Sequence, residues 1–407
     1  MGLSATVLRM DFVVIALVFS VLISGYLLIR DKGDYVDESA HYKRIMAIKG
    51  GDSVFSNEVD VIPGFHLLYA SISRIFDFSS MPSFRLLTTV FSALSVTVLY
   101  LTAKVIDTDS SHIRTVQFLL FPTFFPFFFL VYTDMLSLFL VLASFYLAVR
   151  EKYAFSGVFG ILSMFVRQNN VIAVMFICAY LLWDEPNLRL DARTFRVMLR
   201  KIGVFVVGLL MLAVFFYFNG GIRVTGFIPN NAAEMTLSMG NVYFALLLFF
   251  VIFLPLNISN FGRVRQILGK KHLVYLLLLA FPLYILTLGM DHPVNSSPDY
   301  ILQDFFIFFI KRSIIVKLMV FLSVAYSVIS LVVTPLVRRV FYAAYPMSFI
   351  YLATLWIITP RYSIIPFSFF LMFRKAESIA VESALVVWIA ALSIANYSGV
   401  IEGLFFP

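Results

Sequence analysis

Long apolar stretches without charge alternate with short polar segments along the whole chain. Residues 12–29, 202–222 and 318–337, for example, contain no charged side chain, and each stretch reaches the roughly 18 residues that a membrane-spanning helix needs. We therefore expect an all-α polytopic membrane protein, folded as a single transmembrane domain over residues 1–407. The pattern predicts about thirteen spanning helices, at residues 12–29, 83–105, 115–131, 134–149, 153–166, 169–183, 202–222, 235–262, 273–289, 318–337, 340–360, 362–373 and 383–401.

Composition excludes an ordinary soluble protein. Hydrophobic residues make up 61% of the chain and charged residues 13%, whereas soluble domains contain roughly half and a quarter. The single cysteine, Cys178, excludes an intramolecular disulfide and a multi-cysteine metal site. Because no recurring set of metal ligands stands elsewhere in the sequence, we predict neither a metal ion nor another cofactor.

The distribution of basic residues along the chain indicates its orientation in the membrane. With a cytosolic N-terminus, lysines and arginines concentrate in the polar segments that would face the cytosol, as the positive-inside rule requires. The net charge of +8 is thus explained by membrane orientation. No basic, aromatic-rich soluble domain is present, so we expect no nucleic-acid partner.

The largest polar loop, residues 30–82, follows the first span and would face away from the cytosol. Two adjacent carboxylates, Asp37 and Glu38, lie at its start, and His41 follows three residues later. These residues lie at the boundary between the membrane and water. A membrane-bound sugar transferase needs a catalytic base at such a place, within reach of a lipid-held donor and a polar acceptor.

Two short helices are predicted in this loop. The first begins near Asp37, and the second runs over residues 65–76, after Pro63-Gly64, because proline favours a helix start. Helices of this kind are typical of segments that lie on the membrane surface rather than cross it. An apolar stripe on the second helix contains Leu67, Leu68, Ile72 and Ile75.

Further polar insertions fall on the same side of the membrane by parity. They are Tyr132-Thr-Asp134, Arg167-Gln-Asn-Asn170, residues 219–240, residues 290–304 with His292, and Pro360-Arg-Tyr362. Arg167 separates two short apolar spans, so its guanidinium lies near the membrane boundary, where an unpaired charge is unfavourable. We expect it to pair with a carboxylate such as Asp134 or with a ligand phosphate.

Several motifs, taken in order, resemble those of the dolichyl-phosphate-glucose-dependent alpha-1,2-glucosyltransferases (the Die2/Alg-ten type) of the GT-C superfamily. The matching residues are Tyr35-Val-Asp37-Glu38-x-x-His41, Pro63-Gly64, Phe121-Pro-Thr, Tyr132-Thr-Asp134, Phe165-Val-Arg167-Gln168-Asn169-Asn170 and Arg361-Tyr362-Ser-Ile-Ile-Pro366. One departure concerns a family cluster of Asp-Asn-Arg-His-Tyr, where this chain has Gln303-Asp304 followed later by Lys311-Arg312. That difference bears on how a phosphate or an acceptor group is held.

The resemblance implies a GT-C-type bundle and an inverting transfer of glucose from dolichyl phosphate glucose to a lipid-linked oligosaccharide, forming the terminal alpha-1,2-linked glucose of an N-glycan precursor. One carboxylate would act as the base. We assign that role to Asp37, with Glu38 beside it to bind acceptor hydroxyls or orient a neighbour; a helix cap is the structural alternative for Asp37. The candidates for substrate binding are His41, Asp134, Arg167, Gln168, His292, Lys311, Arg312, Arg361 and Tyr362.

Two alternative functions stay open at this point. A secondary transporter would also be polytopic, but it would place ionisable residues near the middle of the bilayer. A sister GT-C enzyme that uses mannose or another polyprenyl-linked sugar has the same sequence features. The resemblance implies the endoplasmic reticulum membrane with a luminal active site, or the outer face of the plasma membrane in a prokaryote.

Overall fold

The computed structural model describes residues 2–52, 62–183, 192–219, 237–289 and 310–404. The main regular elements of these segments are α-helices, joined by turns and by short 3-10 helices. They are α1 (Gly2–Ile29), α2 (Glu38–Gly50), α3 (Gly64–Ile75), α4 (Met81–Ile106), α5 (Ser111–Leu119), α6 (Thr133–Val149), α7 (Tyr153–Val166), α8 (Asn170–Leu182), α9 (Ala192–Asn219), α10 (Gly240–Ile252), α11 (Leu254–Ser259), α12 (Phe261–Leu268), α13 (Lys271–Thr287), α14 (Ile314–Val333), α15 (Ala344–Ala353), α16 (Ile364–Phe373) and α17 (Ile379–Ile401).

Length and composition identify a multi-pass membrane protein. In the described segments, five helical stretches are long and apolar enough to cross a bilayer, namely Met10–Ile29, Met81–Ile106, Thr194–Phe218, Ile314–Val333 and Ile379–Ile401. A sixth is possible if α12 and α13, which meet at 88°, form one broken span. Helices α6, α7, α8 and α10 are apolar but shorter. The predicted number of about thirteen spans is not confirmed by this criterion.

Three predicted spans are wrong as continuous helices, and one of them, 340–360, is α-helical only over α15. The stretch 115–131 contains the end of α5 and then an irregular segment with a tight turn over Phe125–Phe128, and the stretch 235–262 is divided among α10, α11 and the start of α12. The irregular segment is buried, and Ser92 donates a hydrogen bond of 2.9 Å to the carbonyl of Phe128. An apolar run without periodicity does not distinguish a buried irregular segment from a helix.

The chain divides into two compact units. The first comprises residues 1–115 and 127–231, and the second comprises residues 116–126 and 232–407. In the first unit, α6 packs against α4 and α7, and Ser144 and Ser156 exchange side-chain-to-carbonyl hydrogen bonds of 2.8 and 2.7 Å between α6 and α7. These contacts fix α6, whose N-terminus carries the Tyr132-Thr-Asp134 motif.

An aromatic and aliphatic cluster supports the two short helices of the first loop. It includes Ile45 and Ile48 of α2, Phe65 and Tyr69 of α3, and Phe84 of α4. The Tyr69 hydroxyl hydrogen-bonds to Thr88 (3.0 Å), so this buried hydroxyl has a hydrogen-bond partner inside the apolar cluster. The predicted second helix is confirmed as α3, and Leu67, Leu68 and Ile75 of its apolar stripe are exposed.

The second unit has its own buried polar contact. The Arg374 guanidinium pairs with both oxygens of Glu382 (2.7 and 2.6 Å) and donates to the Gln117 side chain (2.8 Å). All three side chains are buried. This contact joins α17 to the segment that precedes it, and it makes the start of α17 a fixed part of the unit.

Candidate functional site

Asp37 stands at the N-cap position of α2, as the sequence predicts. Its side chain makes no capping hydrogen bond to the helix and is half-buried, so the structural alternative of a helix cap is not realised. The residue before it, Val36, has a φ of 39°, a left-handed conformation that a β-branched residue rarely adopts. Strain of this kind persists where surrounding contacts enforce it, and it concentrates at functional sites.

Tyr132 enforces the conformation of this turn from outside. Its hydroxyl accepts a hydrogen bond from the Asp37 amide (3.2 Å) and donates one to the carbonyl of Tyr35 (3.0 Å). The tyrosine immediately precedes α6 and is buried. The position of Asp37 therefore depends on the packing of α6 in the first unit.

Glu38 is fully buried and its oxygens are occupied by protein donors. Oε1 accepts from Arg85 Nε (2.9 Å) and the Val131 amide (3.0 Å), and Oε2 accepts from the Arg85 guanidinium (2.5 Å) and the Tyr35 amide (3.2 Å). A carboxylate held by four donors is poorly placed to take a proton from a substrate. These contacts indicate that Glu38 holds the turn before α2 in place.

Arg85 completes this anchor, and sequence reasoning did not single it out. Besides Glu38, its guanidinium donates to the carbonyls of Ile29 (2.6 Å), Lys32 (2.8 Å) and Gly33 (2.8 Å). One buried side chain thus ties the end of α1 to the start of α2. The signal was present: an arginine at the edge of an apolar span requires a partner.

His41 and His66 form a buried pair beside the turn, with Nδ1 of His41 at 2.9 Å from Nε2 of His66. The His41 ring also meets the Tyr132 ring edge-on, with centroids 5.7 Å apart. Burial, together with electrostatic repulsion from His41 and the buried Arg44, holds the pKa of His66 well below its ordinary value of 6.5. His66 was missed at the sequence level, since a lone histidine after Pro63-Gly64 gives no specific signal.

Asp134 and Arg167 form an ion pair, which confirms the first of the two partners expected for this arginine. Asp134 lies in the first turn of α6 and is buried; Arg167 follows the last residue of α7. The corner is reinforced by Asn170, whose amide donates to Ser137 (2.8 Å) and to the carbonyl of Ser163 (2.8 Å). Gln168 lies in the same corner and is half-buried.

The remaining candidates belong to the second unit or lie outside the described residues. Arg361 and Tyr362 occupy a short turn, Pro360–Ser363, and the Arg361 guanidinium lies 5.6 Å from the centre of the Tyr362 ring. Lys311 and Arg312 are exposed just before α14. His292 lies outside the described residues. In the segments that the structure describes, no group of three His, Cys, Asp or Glu side chains is arranged to hold a metal ion.

A comparison with known protein families matches the part of the chain that holds Asp37. The model of the DIE2/ALG10 family matches residues 32–194, which confirms the resemblance drawn from the motifs. Over 58 residues the chain is 41% identical to a Dol-P-Glc:Glc(2)Man(9)GlcNAc(2)-PP-Dol alpha-1,2-glucosyltransferase of Arabidopsis thaliana. That alignment covers 14% of this chain and 11% of the plant protein.

Proposed function

We propose that this protein transfers glucose from dolichyl phosphate glucose to a lipid-linked oligosaccharide and forms a terminal alpha-1,2-linked glucose. One observation carries the proposal. The segment that matches the DIE2/ALG10 family contains a half-exposed carboxylate, Asp37, on a strained turn that buried groups hold in place. A mannosyltransferase of the same superfamily remains the alternative.

In the proposed reaction Asp37 is the general base. Its carboxylate takes the proton from the acceptor hydroxyl while that oxygen attacks the anomeric carbon of the donor glucose. The bond from this carbon to the phosphate oxygen breaks, and its electron pair leaves with the polyprenyl phosphate. A single displacement inverts the beta linkage to alpha, so no covalent enzyme intermediate forms. Phosphate is a good leaving group, so the step requires no general acid, metal ion or other cofactor.

The other groups around Asp37 act as positioning residues in this proposal. The Glu38 carboxylate and the Arg85 guanidinium fix the start of α2, and the Tyr132 hydroxyl fixes the Asp37 amide. A base held in one orientation needs no rearrangement when the acceptor arrives. We assign the donor phosphate to cationic side chains, for which Arg361, Lys311, Arg312 and His292 are candidates. Arg167 is a weaker candidate because Asp134 already neutralises its charge.

We place the protein in the endoplasmic reticulum membrane with Asp37 on the luminal face. The shorter apolar helices α6, α7, α8 and α10 would then contribute to a GT-C-type bundle together with the longer spans. Helices α2 and α3 would lie at the membrane surface. Exposed apolar side chains at Leu67, Leu68, Ile75 and Phe76 support this placement, because a lipid surface removes them from water.

The proposal is tested with the full chain reconstituted in liposomes. Radiolabelled polyprenyl phosphate glucose and a lipid-linked acceptor are supplied, and the product is digested with linkage-specific glucosidases. We expect labelled acceptor that carries an alpha-1,2-linked glucose. Labelled sugar that accumulates inside the vesicles without any transfer would contradict the proposal and indicate a transporter. Transfer from the mannose donor alone would indicate the sister enzyme.

A further inference from the structure

Three buried polar atoms at one corner of the first unit have no hydrogen-bond partner among the residues that the structure describes. They are Oδ2 of Asp134, Nδ2 of Asn169 and Oδ1 of Asn170. Asp134 is 3% exposed and Asn170 is fully buried. An unsatisfied buried group destabilises a fold by about 1–3 kcal/mol, so such atoms are uncommon unless something else binds them.

The three residues belong to one place in the structure. Asp134 pairs with Arg167 through its other oxygen, Oδ1, and Asn170 hydrogen-bonds to Ser137, one turn further along α6. Asn169 lies between Arg167 and Asn170 in the sequence, at the N-cap position of α8. The unpartnered atoms therefore belong to the first turn of α6 and to the start of α8, which the Asp134–Arg167 and Ser137–Asn170 contacts bring together.

The hydrogen-bonding capacity of these atoms indicates which chemical groups can bind to them. Two of them are hydrogen-bond acceptors and one is a donor, and the nearby Arg167 charge is compensated by Asp134. A phosphate would meet two acceptor oxygens and no free cation from this pair, so an anion is disfavoured. An apolar group would leave all three atoms unsatisfied. A hydroxyl group both donates and accepts, and neighbouring sugar hydroxyls match a mixed set of acceptors and a donor.

We propose that Asp134 and Asn169 form a subsite for hydroxyl groups of a sugar. The inference rests on the proposed function and deepens it, because it names side chains that select the sugar. Asp134 lies two residues after Tyr132, whose hydroxyl holds the Asp37 turn, so the start of α6 connects the subsite to the base. A site built to bind a hydroxyl discriminates strongly against a sugar that lacks it, because its buried groups are then left unpaired.

The test measures kcat/KM of the full chain with two series of substrates. One series consists of deoxyglucose donors on polyprenyl phosphate, and the other consists of acceptors that lack single hydroxyls. For Asn169→Ala we expect a loss of about 10- to 100-fold with the parent substrates. With one deoxy analogue, kcat/KM of Asn169→Ala should differ from that of the wild type by less than about twofold, because the hydroxyl that Asn169 binds is already absent. The series that contains this analogue shows whether the hydroxyl comes from donor or acceptor.

Stability separates this role from a structural one. Nδ2 of Asn169 makes no hydrogen bond to the residues that the structure describes, so Asn169→Ala breaks none there and the melting temperature should not fall below that of the wild type. Asp134→Asn also breaks the ion pair with Arg167, so its melting temperature should fall, but its loss of kcat/KM should still be smallest with the analogue that lacks the hydroxyl bound by Asp134. Gln266→Ala, which truncates an exposed amide in the second unit, serves as the control and should leave every rate unchanged.

The outcomes distinguish the two proposals. If the wild type transfers no sugar from any donor, the proposed function and the subsite both fail. If the wild type is active but the Asn169→Ala loss is equal across all analogues, or absent, the subsite alone is wrong. A marked drop in the melting temperature of Asn169→Ala would likewise show that the amide has a structural role and overturn the subsite.

Discussion

At the scale of single residues, two adjacent carboxylates have different environments. Glu38 is buried among four donors, whereas Asp37 is half-buried and does not cap its helix. The motif predicts a carboxylate pair, but the difference between its members comes from Arg85, which is 47 positions away from Glu38. The sequence alone does not provide that contact. The pairing of Arg167 with Asp134, in contrast, was predictable because a guanidinium near lipid needs a counter-charge.

Breaking the buried Glu38–Arg85 pair should destabilise the protein strongly. Glu38→Ala leaves the Arg85 charge buried and unpaired, and we expect a loss of about 3–5 kcal/mol in the free energy of unfolding. The matched control is Asp31→Ala, which breaks the exposed Arg30–Asp31 pair, with side chains 48% and 70% exposed. The control should change stability by less than about 1 kcal/mol. Equal stability losses for both variants, measured by denaturation in detergent, would contradict the anchoring role of Glu38.

His66 should make the protein less stable in mild acid. Its pKa is lowered in the folded state, so below its ordinary value of 6.5 the unfolded chain binds a proton that the folded chain does not. Stability from this group is complete above pH 6.5, and it is lost as the pH falls from 6.5 toward the folded pKa, by at most about 1.4 kcal/mol per pH unit. His66→Gln removes the titration while retaining a polar partner for His41.

The measurement compares melting temperatures of wild type and His66→Gln between pH 7.5 and pH 5. The wild type should lose more stability than the variant over this interval. Parallel curves would show that His66 does not carry the acid sensitivity.

At the scale of elements, most helices were predictable and their interruptions were not. The predicted helix over 153–166 is confirmed with the same bounds as α7, and α2 begins where the sequence indicates. The prediction of a continuous helix over 115–131 is wrong. Phenylalanines occupy both the helical and the irregular parts of that stretch, so hydrophobicity alone does not mark the break. The burial of Phe127 and Phe128 in an irregular segment depends on partners distant in the sequence, such as Ser92.

Close contact between α3 and the end of α7 gives a prediction at this scale. A Cβ atom on Gly64 would overlap the carbonyl of Phe165, two residues before Arg167. Gly64→Ala should therefore push α3 away from this corner, with a stability loss of about 1–3 kcal/mol and a reduced rate of transfer. Gly50→Ala at the end of α2 is the control, because a Cβ there meets nothing within 4 Å. An unimpaired Gly64→Ala protein in melting and transfer assays would show that the contact is not required.

At the scale of the whole molecule, the class of protein follows from composition, but the site does not. Apolar runs predict a multi-pass helical membrane protein, and five long helices agree with it. The sequence placed Asp37 near the start of a helix, where an aspartate is a common N-cap residue. Arg85 and His66 were not recognised, since each acts through a partner brought near by packing rather than by spacing along the chain. Asn169 stands in a recognised motif, but the sequence gives it no role of its own.

Replacing Asp37 by Asn is the most direct test of the account. This change preserves the shape of the side chain and removes its capacity to accept a proton. In the full chain we expect transfer of glucose to fall by about 10²- to 10⁴-fold, because a general base typically contributes that much, while the melting temperature stays at the wild-type value. A folded Asp37→Asn protein that transfers glucose at the wild-type rate would contradict the assignment of Asp37 as the base.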